Sequence, residues 1–120
     1  CSSDLFIVDD KLGTPTYTHD FAKNVKLLLE NEYWGLYNMV CGGITGRYEV
    51  AIELINILGL SDAIKVTPVT SEYWKEEYFA ERPPSERLVD KKLNLREVNI
   101  MRDWRICLKE YINDYYQNYL

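Results

Sequence analysis

The apolar positions of this chain fall into short runs that alternate between strand-like and helix-like spacing. Leu5 to Val8 form an unbroken apolar run of strand length. Phe21, Val25, Leu28 and Leu29 then recur at helical spacing, with Thr18 placed to cap them, which predicts a helix over 18–30. Asn31 and Glu32 break that pattern, Tyr33-Trp34-Gly35 reads as a turn, and Leu36 to Val40 reads as a strand. Cys41 to Ile44 is loop. Past Thr45, one stripe holds Tyr48, Ala51, Ile52, Ile55 and Leu58, and a second holds Val50, Leu54 and Ile57. Two stripes predict a helix buried on two sides, opened by a Thr45 cap and closed at Gly59, with Leu60 packing back.

Ile64 to Val69 is the next strand, and Pro68 puts it at an edge or at its own end. Ser71 to Trp74 reads as a short helical turn, 81–87 with two prolines as irregular, and Asp90 as the cap of a brief turn through Leu95. A last helix spans Met101 to Asn118, with Trp104, Leu108, Tyr111, Ile112, Tyr115 and Tyr119 on one face and Trp104 as its core anchor. The elements add up to a mixed α/β domain: about three main helices packed on a few short strands. The first helix and the Leu36 strand are placed to complete a neighbouring parallel sheet.

Composition narrows the class. At 120 residues, 47% hydrophobic and 28% charged, the chain reads as one ordinary globular domain over 1–120. Cys1 to Asp4 looks like a frayed start or a cut inside a longer protein. A net charge of −5 argues against a general nucleic-acid binder, which needs a basic face to displace counterions. No apolar run nears the roughly 20 residues that span a bilayer, and no signal peptide is visible. Cys1, Cys41 and Cys107 are odd in number and widely spaced, without a Cys-x-x-Cys. This predicts reduced thiols, no metal and a cytoplasmic setting.

Candidate chemistry gathers at the first strand-to-helix junction. Gly13 and Pro15 punctuate a polar loop between strand and helix, a place where open α/β folds bind ligands. An ordinary turn explains the same residues equally well. Gly42-Gly43-Ile44-Thr45-Gly46 also sits between a strand and a helix, as a dinucleotide-binding turn would. Its spacing puts Cys41 where the first glycine belongs, and 65–69 holds no acidic residue. A plain helix start is the better reading. His19, the one histidine, neighbours Asp20, and adjacent side chains point apart; it reads as a solvent-facing first-turn residue. Asp9-Asp10 makes a weak cation site, and Glu76-Glu77 and Asp90-Lys91-Lys92 read as solvated charge. No Gly-x-Ser-x-Gly or Cys/His pairing supports a nucleophile.

A family resemblance changes the weight of that loop. Asp10-Lys11-Leu12-Gly13-Thr14-Pro15-Thr16-Tyr17-Thr18-His19-Asp20-Phe21-Ala22 resembles the Asp-Gln-x-Gly-x-Pro-Thr-Tyr-x-x-Asp-Leu-Ala segment of dTDP-4-dehydrorhamnose reductases, which are extended short-chain dehydrogenases/reductases. Gly35-Leu36-Tyr37-Asn38, Thr45 to Ala51, Arg82-Pro83 with Leu88-Val89-Asp90 and Lys92-Leu93, and Arg102-Asp103-Trp104-Arg105 with Leu108 match further family segments in order. The family's Gln is Lys11 here.

The resemblance implies the C-terminal, substrate-binding part of that fold, lacking the N-terminal NAD(P)-binding Rossmann half. The parent reaction would be NAD(P)H-dependent reduction of a 4-keto sugar nucleotide for polysaccharide synthesis. Candidate substrate-binding residues are Lys11, Thr14, Thr16, Tyr17 and Arg82, the last gripping diphosphate oxygens in a bidentate fork. No tyrosine is followed four residues on by lysine, so the family's Tyr-x-x-x-Lys acid is missing and no catalytic or cofactor-binding residue is assigned. The chain alone is predicted inactive. Its expected partners are a dTDP-sugar, the nucleotide-binding half and, through a bared apolar face, copies of itself. The alternative is a non-catalytic binding or regulatory module of the same fold.

Overall fold

A computed structural model of the chain describes residues 3–74 and 82–116. The expectations for Cys1, Glu76-Glu77 and Tyr119 lie outside the described residues. Strand β1 (Ser3–Val8) is followed by helix α1 (Thr18–Glu30) and helix α2 (Arg47–Leu58). Strand β2 (Ile64–Val69) leads into a 3₁₀ turn at Ser71–Trp74. Helix α3 (Lys91–Leu95) and helix α4 (Trp104–Tyr115) complete the order.

β1 and β2 pair in parallel from Ser3↔Ile64 to Val8↔Val69, and Asp9 N–H extends the ladder to the Val69 carbonyl at 2.9 Å. Parallel strands cannot be joined by a tight turn, so the crossover between them carries α1 and α2. Both strands are edges of this two-stranded sheet, which is where Pro68 is tolerated.

Local signals explain most boundaries. Gly59 takes the left-handed conformation (φ 70°) at the end of α2, and Leu60 N–H reaches back to the Ile55 carbonyl at 3.0 Å, closing the helix as the Gly59-Leu60 pair predicts. Five expectations change. The capping position of α1 is Tyr17 and that of α2 is Gly46, neither with a side-chain cap; Thr45 instead turns its hydroxyl to Glu49 Oε2 at 3.0 Å. α4 starts at Trp104 because the Asp103 carboxylate accepts Arg105 N–H at 2.9 Å and fixes the first turn there. The stretch 36–40 is not in a ladder: β1 and β2 take each other as partners, and Val40 N–H is bound by the Asp90 carboxylate at 2.9 Å. α2 is half-buried rather than enclosed, with Ile55 its one buried residue.

The core lies off the sheet, in two adjoining clusters. Tyr17, Cys41, Trp104 and Cys107 form one, flanked by Val50 and Leu108; Leu28, Met39 and Leu93 form the other, and Met101 touches both. Along α1 the buried positions are Asp20, Asn24 and Leu28, one helical face of which two members are polar. Phe21 and Leu29, expected inside, are exposed. The reason is that much of the buried face of α1 meets the irregular segment 98–102. That segment has unpaired backbone groups, and Asn24 satisfies two of them, donating to the Val98 carbonyl (2.8 Å) and accepting from Ile100 N–H (3.0 Å). The radius of gyration is 17.0 Å, against about 14 Å for a closed domain of this length. The molecule is correspondingly flat, 53 × 37 × 19 Å.

Candidate functional site

The loop after β1 is stitched to two distant segments. Gly13 N–H donates to the Thr45 carbonyl at 2.9 Å, and Thr14 Oγ1 donates to the Gly43 carbonyl at 2.8 Å. On its other side Leu12 pairs with the 84–86 segment, donating to the Pro84 carbonyl and accepting from Glu86 N–H, each at 2.9 Å. Lys11 Nζ donates to the Arg82 carbonyl at 3.1 Å. Two cationic residues 71 positions apart are thus held side by side by backbone geometry. The Arg82 side chain is 74% exposed, and among the described residues its guanidinium lies 4.0 Å from the Glu86 carboxylate.

The glycines of 42–46 serve this stitching. A Cβ on Gly46 would sit 2.7 Å from the Lys11 carbonyl oxygen, so only glycine lets α2 begin against the loop. Gly43 has φ +99°, and a Cβ there would strike the Trp104 ring at 2.8 Å. Close packing accounts for both without a dinucleotide.

The other predicted residues diverge. Thr16 is exposed. Tyr17 is turned inward, 8% exposed, with its ring in the core and its hydroxyl 3.1 Å from His19 Nδ1. Burial pushes its phenol above the usual tyrosine range. His19 is exposed but not idle: its Nε2 lies 3.1 Å from Tyr115 Oη, and its ring stacks on Tyr17. It ties the end of the loop to the end of α4. Asp10 is engaged at both oxygens by Ser71, which lowers its carboxyl and leaves the Asp9-Asp10 pair poorly suited to a cation.

Beneath the loop lies a charged network. Asp20, 2% exposed, accepts from Arg102 Nη2 at 2.7 Å, from Nε at 3.0 Å and from the Arg102 backbone N–H at 3.2 Å. The same guanidinium donates to both Glu110 oxygens, at 3.0 and 2.8 Å. Arg102 holds the Asp20 carboxyl down at about 2, and Glu110 first, then Asp20, push the guanidinium further above its normal range. Asp90 is buried too, which raises its carboxyl; the solvated charge expected at Asp90 is a structural acceptor for Val40 and Asn99. Cys41 and Cys107 lie within 4.8 Å of the Asp20 carboxylate. With both Asp20 oxygens taken by Arg102 and the Cys107 thiol pushed up by burial, these three are a poor cage for a cation. The sequence signal for the network was present in Asp20 and in the Arg102-Asp103-Trp104-Arg105 run, but motif matching assigns such residues no role.

The model of the RmlD substrate binding domain matches residues 2–117. This chain belongs to that family. The RmlD-type domain is 34% identical over 112 residues to the spore coat polysaccharide biosynthesis protein SpsK of Bacillus subtilis (strain 168), covering 92% of this chain and 37% of SpsK. It superposes on a dTDP-4-dehydrorhamnose reductase from Clostridium acetobutylicum ATCC 824 with TM-score 0.86 at 35% identity, over 93% of this chain and 39% of that one. A dTDP-4-dehydrorhamnose reductase from Bacillus anthracis str. Ames, solved in complex with NADP, shares the fold at TM-score 0.83 and 23% identity, over 94% of this chain and 38% of that one. The mixed α/β architecture read from the sequence is that of these proteins, and this chain spans about two-fifths of their length. Among the described residues no helix is long and apolar enough to cross a membrane.

Proposed function

We propose that this chain is the sugar-nucleotide-binding part of a reductase that acts on a 4-keto sugar nucleotide with NAD(P)H, in the service of surface polysaccharide synthesis. The observation that carries the reading is the convergence of Lys11 and Arg82: Lys11 Nζ donates to the Arg82 carbonyl at 3.1 Å, and the Arg82 side chain is presented to solvent beside the polar loop. A diphosphate needs paired cations at a rigid edge, and a bidentate guanidinium beside a point charge meets that need. Thr14 and Thr16 line the same loop; Tyr17 serves it as an anchor, holding the loop's end in the core. The hydride donor and the proton source belong to the nucleotide-binding half that this chain would meet, so the isolated chain binds without turnover. The thiols of Cys41 and Cys107 are free, as suits a cytoplasmic enzyme.

The surface that would meet that half is apolar. Leu36 is 89% exposed, and Trp34, Val89 and Leu95 are exposed with it. A bared face of this kind also favours self-association of the isolated chain. The binding reading is tested by calorimetric titration with dTDP-glucose. Saturable heat that is lost when Lys11 and Arg82 are both changed to alanine supports it. Absence of heat with a folded wild-type chain overturns it and leaves the non-catalytic partner module as the better account.

A further inference from the structure

We propose that Cys41 and Cys107 form a reversible thiol–disulfide pair, oxidised by a small disulfide, whose closure disturbs the seat of Tyr17. This reading does not depend on sugar-nucleotide binding. The two sulfurs lie 3.7 Å apart although their residues are 66 positions apart in sequence, one in a loop and one on α4. Both are buried and neither is in a disulfide. Each sulfur also has a second polar neighbour. Cys41 Sγ accepts the Tyr17 N–H at 3.4 Å, and Cys107 Sγ donates to Asp20 Oδ2 at 3.3 Å.

The surroundings assign the order of events. Cys41 adjoins Gly42, Gly43 and Ile44, all exposed, in a loop held by one backbone bridge from Gly42 to Asp103 and by the Thr14 hydroxyl on the Gly43 carbonyl. Local release of that bridge uncovers its sulfur without unfolding α1 or α4. Burial first, and then the Asp20 carboxylate, disfavour the thiolate of Cys107. Cys41 therefore attacks first. Its thiolate displaces one thiolate from the small disulfide and forms a mixed disulfide. Cys107 then attacks the Cys41 sulfur and expels the second thiolate. The two protons released by the cysteines end on the two expelled thiolates. The protein pair is oxidised by two electrons, and one small disulfide is reduced to two thiols.

A disulfide brings its sulfurs to about 2 Å. At least one sulfur must move; the Cys107 bond to Asp20 is lost with the thiol proton, and a shift of Cys41 loosens its contact with the Tyr17 N–H. Both lead to the loop 11–17, through its last residue or through the first turn of α1.

The test uses the chain with Cys1→Ser, incubated with oxidised glutathione and read by intact mass, peptide mapping and hydrogen exchange. The expected product is lighter by two hydrogens and yields one cross-linked peptide joining Cys41 to Cys107. It reverts with dithiothreitol and exchanges faster across residues 13–21 than the reduced chain. Adding Cys107→Ser should halt the reaction at one glutathione on Cys41. A chain that stays reduced, or that keeps glutathione on both cysteines, overturns the pair. A cross-link with unchanged exchange at 13–21 overturns its coupling to Tyr17.

Discussion

The Trp104 centre and the Leu36–Leu95 edge contain similar side chains in opposite states. Trp104 is 1% exposed, enclosed by Tyr17, Cys41 and Cys107, with the Asp20–Arg102–Glu110 network alongside. Leu36 and Leu95 are exposed, and the concavity between them, of about 230 Å³, is wide and shallow. The difference teaches where this domain is complete. The end of the molecule that holds the loop 11–17 rests on the buried Tyr17–Trp104 cluster, through Tyr17 at the loop's end. The other end carries the exposed apolar side chains of Trp34, Leu36, Val89 and Leu95.

The sharpest break of that contrast is Trp104→Ala. Removing a fully enclosed indole should cost about 3–5 kcal/mol, with denaturant unfolding as the measurement. A loss as small as that of an edge residue would erase the distinction. Arg102→Ala should cost about 3 kcal/mol, because it leaves the buried Asp20 carboxylate without its partner; the low end applies because Arg102 is itself one-third exposed. Acid provides an independent reading of the same network. Asp20 is held at about 2 against 3.8 for the ordinary carboxyl, so its contribution is in full force above pH ~4 and is lost as pH falls toward 2. The loss should be on the order of 2 kcal/mol. Stability measured against pH in Arg102→Ala should lack that acid limb.

Smaller effects belong to the exposed positions. Arg82→Ala should leave stability within about 0.5 kcal/mol, since its ion pair with Glu86 is solvated. It should nonetheless weaken dTDP-glucose binding about tenfold, or 1.4 kcal/mol, in a calorimetric titration. Leu36→Ser should change unfolding least of all and should reduce self-association in sedimentation velocity. Destabilisation by Leu36→Ser comparable to that of Trp104→Ala would show the edge to be core.

The two ends were not equally legible in the sequence. Residues 18–30 and 64–69 followed from periodicity, and the closure of α2 followed from Gly59, because local rules decide them. The loop 11–17 was recognisable from its Gly13-x-Pro15 punctuation and its resemblance. Its convergence with Arg82 came only from that resemblance, because Leu12 and Ser85 pair 73 positions apart and no local pattern encodes that. The buried face of α1 was misread for a related reason. Hydrophobic periodicity selects Phe21 and Leu29, whereas the neighbour is bare backbone at 98–102, which selects Asp20 and Asn24. The strand expected at 36–40 was reasonable from its apolar run, but among the described residues it joins no ladder, and its Val40 N–H is taken by the Asp90 carboxylate at 2.9 Å.

The most direct measurement is a map of amide chemical-shift changes in the isotopically labelled chain as dTDP-glucose is added. A bound sugar nucleotide should move Lys11 to Tyr17 and the segment 82–86 together, with one saturation curve, and leave 34–36 and 88–95 in place. Changes confined to 34–36 and 88–95, or none at Lys11 and Arg82 at saturating nucleotide sugar, would contradict the account.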